Sequence, residues 1–70
     1  MKKTRKLETY VLTSAEALQR GLRPVTETET AYCACANAGS ELAMFKWTSN
    51  LVGATMWALE KSVWEYTYED

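Results

Sequence analysis

The chain contains no histidine. Histidine is the general base and metal ligand best matched to neutral pH, so Ser14, Ser40, Ser49 and Ser62 have no imidazole to activate them. Cysteine is scarce as well: Cys33 and Cys35 fall short of the about four ligands that a structural zinc site needs. Spaced two apart, they diverge on a helix, and on a strand they share a face but cannot easily close so small a ring. Cys33 sits among alanines with no basic neighbour to lower its pKa. The pair reads as two small buried thiols in a reducing compartment. Paired carboxylates, a nucleophile–base pair and a glycine-rich phosphate loop are also missing. The expectation is a chain that is not an enzyme and carries no cofactor and no metal.

Long apolar runs are lacking too. The longest uncharged run, Trp47 to Leu59, is broken by Thr48, Ser49, Asn50 and Gly53 and falls well short of the ~20 residues of a membrane helix. Met1-Lys2-Lys3-Thr4-Arg5-Lys6 could open a signal peptide, but Leu7-Glu8-Thr9-Tyr10 supplies no apolar core to follow it. The expected location is the cytoplasm, in soluble form and away from membranes.

What the chain does have is aromatic residues in its last third. Six of its eight, Phe45, Trp47, Trp57, Trp64, Tyr66 and Tyr68, lie between positions 45 and 68. Seventy residues with 47% hydrophobic content and a net charge of −1 describe a single globular domain over residues 1–70. A domain of about 60 residues buries only about 60% of its unfolded surface, so a supplement to the core is expected. Near-zero charge removes self-repulsion and makes association the favoured supplement.

Along the chain, Lys6 to Leu12 reads as a strand, after residues 1–5 as a flexible basic N-terminus. Thr13-Ser14-Ala15-Glu16 is a capping box, with Leu12 and Ala17 as its hydrophobic staple. Gly21 supplies a left-handed stop, which predicts a helix over 14–20. Pro24 holds Arg23 extended, so 23–26 is a connector or short edge strand. The helix is too short for a parallel crossover, which excludes a Rossmann-type unit. Thr26 followed by Glu29 repeats the capping spacing and predicts a second helix to about Ala38, stopped by Gly39. A longer version of this helix would run on to Trp47. Strands are expected over 41–48, 54–60 and 63–69, with a turn at 49–53. The strand at 54–60 competes with a helix, because Ala, Met, Leu and Glu favour helix, and the choice between the two stays open over 50–61. The fold class is α+β, in the order β-α-α-β-β-β, with an antiparallel sheet and both helices packed on one face.

Such a sheet would be apolar on both sides of 41–48 and 54–60, and two short helices can cover only one. A partner protein or a second copy is therefore expected on the other. Met44, Met56, Trp57, Trp64, Tyr66 and Tyr68 are the candidate contacts, since Trp and Tyr tolerate half-exposure and are enriched at hot spots. Trp64, Tyr66 and Tyr68 share one strand face, which could equally be the inward side of an edge strand. Lys2, Lys3, Arg5 and Lys6 form a candidate basic arm, while Glu60, Glu65, Glu69 and Asp70 cluster at the other end. Pairing of the first and last strands would bring the two sets together. A pI near 5.4 argues against a nucleic-acid module.

The segment Leu12-Thr13-Ser14-Ala15-Glu16-Ala17-Leu18-Gln19-Arg20-Gly21-Leu22-Arg23-Pro24-Val25-Thr26 resembles one found in small phage and prophage accessory proteins. There a strand leads into a capped two-turn helix, a glycine and Arg-Pro-Val/Ile-Thr, and Gly53-Ala54-Thr55-Met56-Trp57 loosely matches a later strand. The chain departs by lacking an aromatic after Gly21 and by continuing through Val63 to Asp70. The resemblance implies a phage-encoded protein in the host cytoplasm that binds and blocks a host complex, such as a CRISPR-type defence effector. The expected function is thus a non-catalytic protein-binding inhibitor acting by steric occlusion. The alternatives are a self-associating homodimer with a structural role, and nucleic-acid binding through the basic arm.

Overall fold

The computed structural model describes residues 1–26 and 30–69. Its elements in chain order are β1 (Lys2–Lys6), β2 (Glu8–Thr13), α1 (Ser14–Gln19), β3 (Tyr32–Ala38), β4 (Glu41–Thr48), α2 (Leu51–Lys61) and β5 (Glu65–Glu69). The fold is α+β with antiparallel sheets. Strands β2, β3 and β4 form one sheet in that order, and β1 pairs with β5 in a separate two-stranded ribbon.

The local signals around α1 act as the residues dictate. The Thr13 hydroxyl accepts from the Glu16 amide at 3.4 Å, and the Glu16 carboxylate accepts from the Thr13 amide at 3.4 Å. Gly21 takes φ +84°, which lets the Leu22 amide reach back to the Ala17 carbonyl at 3.1 Å. Leu22 then packs on the core behind the helix.

Two segments exchange the identities expected from sequence. Tyr32–Ala38 is the central strand of the sheet, not the second half of a helix. Its residues Cys33, Ala34, Cys35 and Ala36 are fully buried, as a strand covered on both faces must be. Small side chains there let a helix approach from each side, and this tertiary demand overrides alanine's helical preference. The capping pattern proposed around Glu29 lies outside the described residues. Conversely, 51–61 is helix α2, where a turn and a strand were expected. The Asn50 side chain caps it, accepting from the Gly53 amide at 2.7 Å, and Ala54, Met56, Leu59 and Glu60 then follow their own propensity.

The two helices lie on opposite faces of the three-stranded sheet, not on one. Ala17 of α1 packs with Leu12, Cys33, Cys35 and Trp47. Ala54 and Ala58 of α2 pack with Ala34, Val11, Tyr32 and Trp57. Alternation along β2 and β3 separates these two clusters.

Residues 2–6, expected mostly within a flexible N-terminus, form β1, and the expected first strand divides at buried Leu7. Twelve residues of nearly continuous strand, from Lys2 to Thr13, would span about 40 Å. The molecule measures 40 × 23 × 16 Å.

Candidate interaction surfaces

The ribbon brings together two sets of residues that lie at opposite ends of the sequence. In its register Lys2 stands across from Glu69, Lys3 from Tyr68, Thr4 from Thr67, Arg5 from Tyr66 and Lys6 from Glu65. Directly opposed residues share a face. One face therefore alternates Lys2, Glu69, Thr4, Thr67, Lys6 and Glu65, with opposite charges across the ladder. The other takes Lys3, Arg5 and Tyr66, so half of the candidate basic arm shares a surface with the aromatic strand. Every residue of β1 is exposed, as is Tyr66 at 38%. The Leu7 amide donates to the Trp64 carbonyl at 3.1 Å, which extends the ribbon by one more pairing at its base.

Arg5 reaches from the ribbon toward the β3–β4 turn. Gly39 holds that turn at φ +66°, and a Cβ on it would stand 3.1 Å from the Arg5 guanidinium. Arg5, Ser40, Glu41, Tyr66 and Glu69 line an open cleft of about 300 Å³ there.

Trp57 and Trp64 have a structural task. The Lys61 ammonium sits 3.6 Å from the Trp64 ring centroid and 5.8 Å from that of Trp57. It also donates to Glu60 at 3.4 Å. This cation–π arrangement fixes the end of α2, with Trp57 half-buried against the alanine cluster and Trp64 left 47% exposed. Met44 is half-buried on β4, across from Ala36 on the α2 side. The six candidate contacts therefore do not form one stripe. Trp64 and Tyr66 lie at the ribbon, Met56 on the outside of α2, and Met44 and Trp57 partly within; the side chain of Tyr68 is outside the described ones.

A further exposed apolar surface, of which the sequence singled out only Met56, lies on α2. Val52, Met56, Leu59 and Val63 are 65 to 71% exposed, on the side of α2 away from the sheet. Their spacing of four, three and four is a helical signal, masked by Trp57 and Leu59, which also fit a period of two.

On the α1 side, Arg20 donates to the Tyr10 hydroxyl at 3.5 Å, and that hydroxyl donates to Asn37 at 3.3 Å. Beneath them the Cys33 and Cys35 sulfurs lie 4.0 Å apart, both free and fully buried. Burial pushes the Cys33 thiol up to about 12, assisted by Cys35. Burial also raises Cys35, against the opposing pull of Cys33, Tyr10 and Arg20. Both sulfurs are thus protonated and shielded at neutral pH, which suits packing rather than nucleophilic attack. Among the described residues no cluster of three or more His, Cys, Asp or Glu could hold a metal ion, and no helix is long and apolar enough to cross a membrane. No family of known proteins, curated protein or solved structure matches this chain.

Proposed function

We propose that the chain is a non-catalytic protein-binding module that occludes a surface on another protein, with the β1–β5 ribbon as its binding element. One observation carries this reading: the ribbon is exposed along β1 and puts Tyr66 beside Arg5 and Lys3, next to half-exposed Trp64. Trp, Tyr and Arg are the residues on which interface energy concentrates. An isolated two-stranded ribbon is marginal in water and gains from being covered. The chemistry suits a partner surface bearing carboxylates among apolar groups. Glu65 and Glu69 across from Lys6 and Lys2, with a net charge of −1, disfavour a nucleic acid. The protonated, buried thiols and the absence of histidine support a role without catalysis.

The likeness of residues 12–26 to phage accessory segments makes a bacterial host defence complex the first partner to test, in the host cytoplasm. Affinity capture of the tagged chain from a bacterial lysate, read by mass spectrometry, should recover one host protein or complex in near-stoichiometric amount. Trp64→Ala with Tyr66→Ala, in a chain whose circular dichroism is unchanged, should lower that recovery at least about tenfold, as loss of a hot spot does. Undiminished recovery by the double variant would remove the ribbon from the interface. Recovery of the chain alone would sink the inhibitor reading.

A further inference from the structure

We infer that the outward face of α2 is the contact between two copies of this chain, paired antiparallel about a two-fold axis. At 100° per residue, Val52, Met56, Leu59 and Val63 fall within an arc of about 60°. Ser62, still helical at φ −63° and ψ −20°, carries the same turn on to Val63. This arc is centred about 150° around the helix from Ala54 and Ala58, which face the sheet. The helix is therefore apolar on two sides, with Thr55, Glu60 and Lys61 as its polar residues, and a second apolar side calls for a second packing partner.

The spacing identifies the occupant. Intervals of four, three and four form the seam by which helices pack on one another, and they read the same in either direction. An antiparallel copy then sets Met56 against the other chain's Leu59 and Val52 against its Val63. Each of these pairs recurs with the roles exchanged, as a two-fold interface demands. Charge agrees: none of Val52, Met56, Leu59 and Val63 is charged, and the two charged residues within that span, Glu60 and Lys61, lie off the seam. The same register places Glu60 beside the other chain's Thr55, and antiparallel helices oppose their dipoles. Lys61 turns away toward Trp57 and Trp64.

The area is adequate for a modest dimer. Four such side chains at about 100 Å² each, with their flanks, bring each copy to about 500 Å². This is a tenth of its 4990 Å² surface, the share that an interface takes on a small protein. The expected dissociation constant is roughly 1–100 µM. The seam uses no residue of β1 or β5, so partner capture and self-association are read with different variants.

Sedimentation equilibrium on the full chain, from low micromolar to millimolar, tests the pairing. The wild type should shift from monomer to dimer. Met56→Glu and Leu59→Lys should each weaken association on the order of 100-fold, because each buries an unpaired charge twice. An equimolar mixture of these two variants should regain dimer, since the antiparallel register sets one Glu against one Lys and leaves one Leu–Met pair intact. Val63→Asp, beyond the last turn, should also weaken association and serves if either helical variant loses its circular dichroism. A wild type that stays monomeric, a dimer indifferent to these changes, or variants that do not associate on mixing would each overturn the inference.

Discussion

Cys33 and Cys35 show how much of this protein is decided by the size of single side chains. They occupy the centre of the sheet on the α1 side, where Leu12, Ala17 and Trp47 close over them. Their burial couples stability to alkaline pH in a definite direction. The unfolded thiol ionises near 9.0, whereas folded Cys33 keeps its proton to about 12. Above the lower value the unfolded chain binds fewer protons, so stability present in full below it declines as pH rises toward 12, at up to about 1.4 kcal/mol per pH unit for one thiol. Cys33→Ala removes this contribution. Denaturant melts at pH 8, 9 and 10 should show a shallower alkaline decline for the variant than for the wild type. Equal declines would mean that the thiol does not stay protonated in the fold. Trp47 adds a second residue-scale feature: its indole Nε1 is buried with no hydrogen-bond partner among the described groups.

Among the elements, those whose cause is local were legible in the sequence and those whose cause is distant were not. The α1 helix was readable from Thr13, Glu16 and Gly21, because every group that starts or stops it lies within a few residues. β4 and β5 were readable from their β-branched and aromatic content, and complementary charge pointed to pairing of the two ends of the chain, but β1 itself was not legible, because Lys2 to Lys6 gain a strand's conformation only from β5. Tyr32–Ala38 was not, because its small residues gain their meaning only from the helices that press on both faces. The α2 segment was obscured by Trp57 and Leu59, which fit a period of two as well as a helix. Its start rests on Asn50, so Asn50→Ala should cost about 1 kcal/mol. The variant's thermal melt should fall by several degrees, while Ser49→Ala, just before the cap, should leave it nearly unchanged. The candidate site was half legible: Trp64 and Tyr66 were named in advance, but their union with Arg5 depends on a register that no local motif encodes.

At the scale of the whole molecule, the ribbon's connectivity has a kinetic consequence. Thr4 and Thr67, whose hydroxyls lie 3.5 Å apart, are 63 positions apart in the chain. Closing such a loop is entropically costly until intervening structure has brought its ends together. The β2–β3–β4 sheet and α2 are built from shorter-range pairings and should form first. The ribbon then closes last and is the first unit to open, at a free energy below that of global unfolding. Native-state hydrogen exchange should show β1 and β5 amides exchanging together, well ahead of those in β3. Ribbon amides protected as strongly as those of β3 would mean a single cooperative unit. If the ribbon opens alone, its amides become free to pair with a strand supplied by another chain, and capture of a partner would then begin as an exchange of one ladder for another.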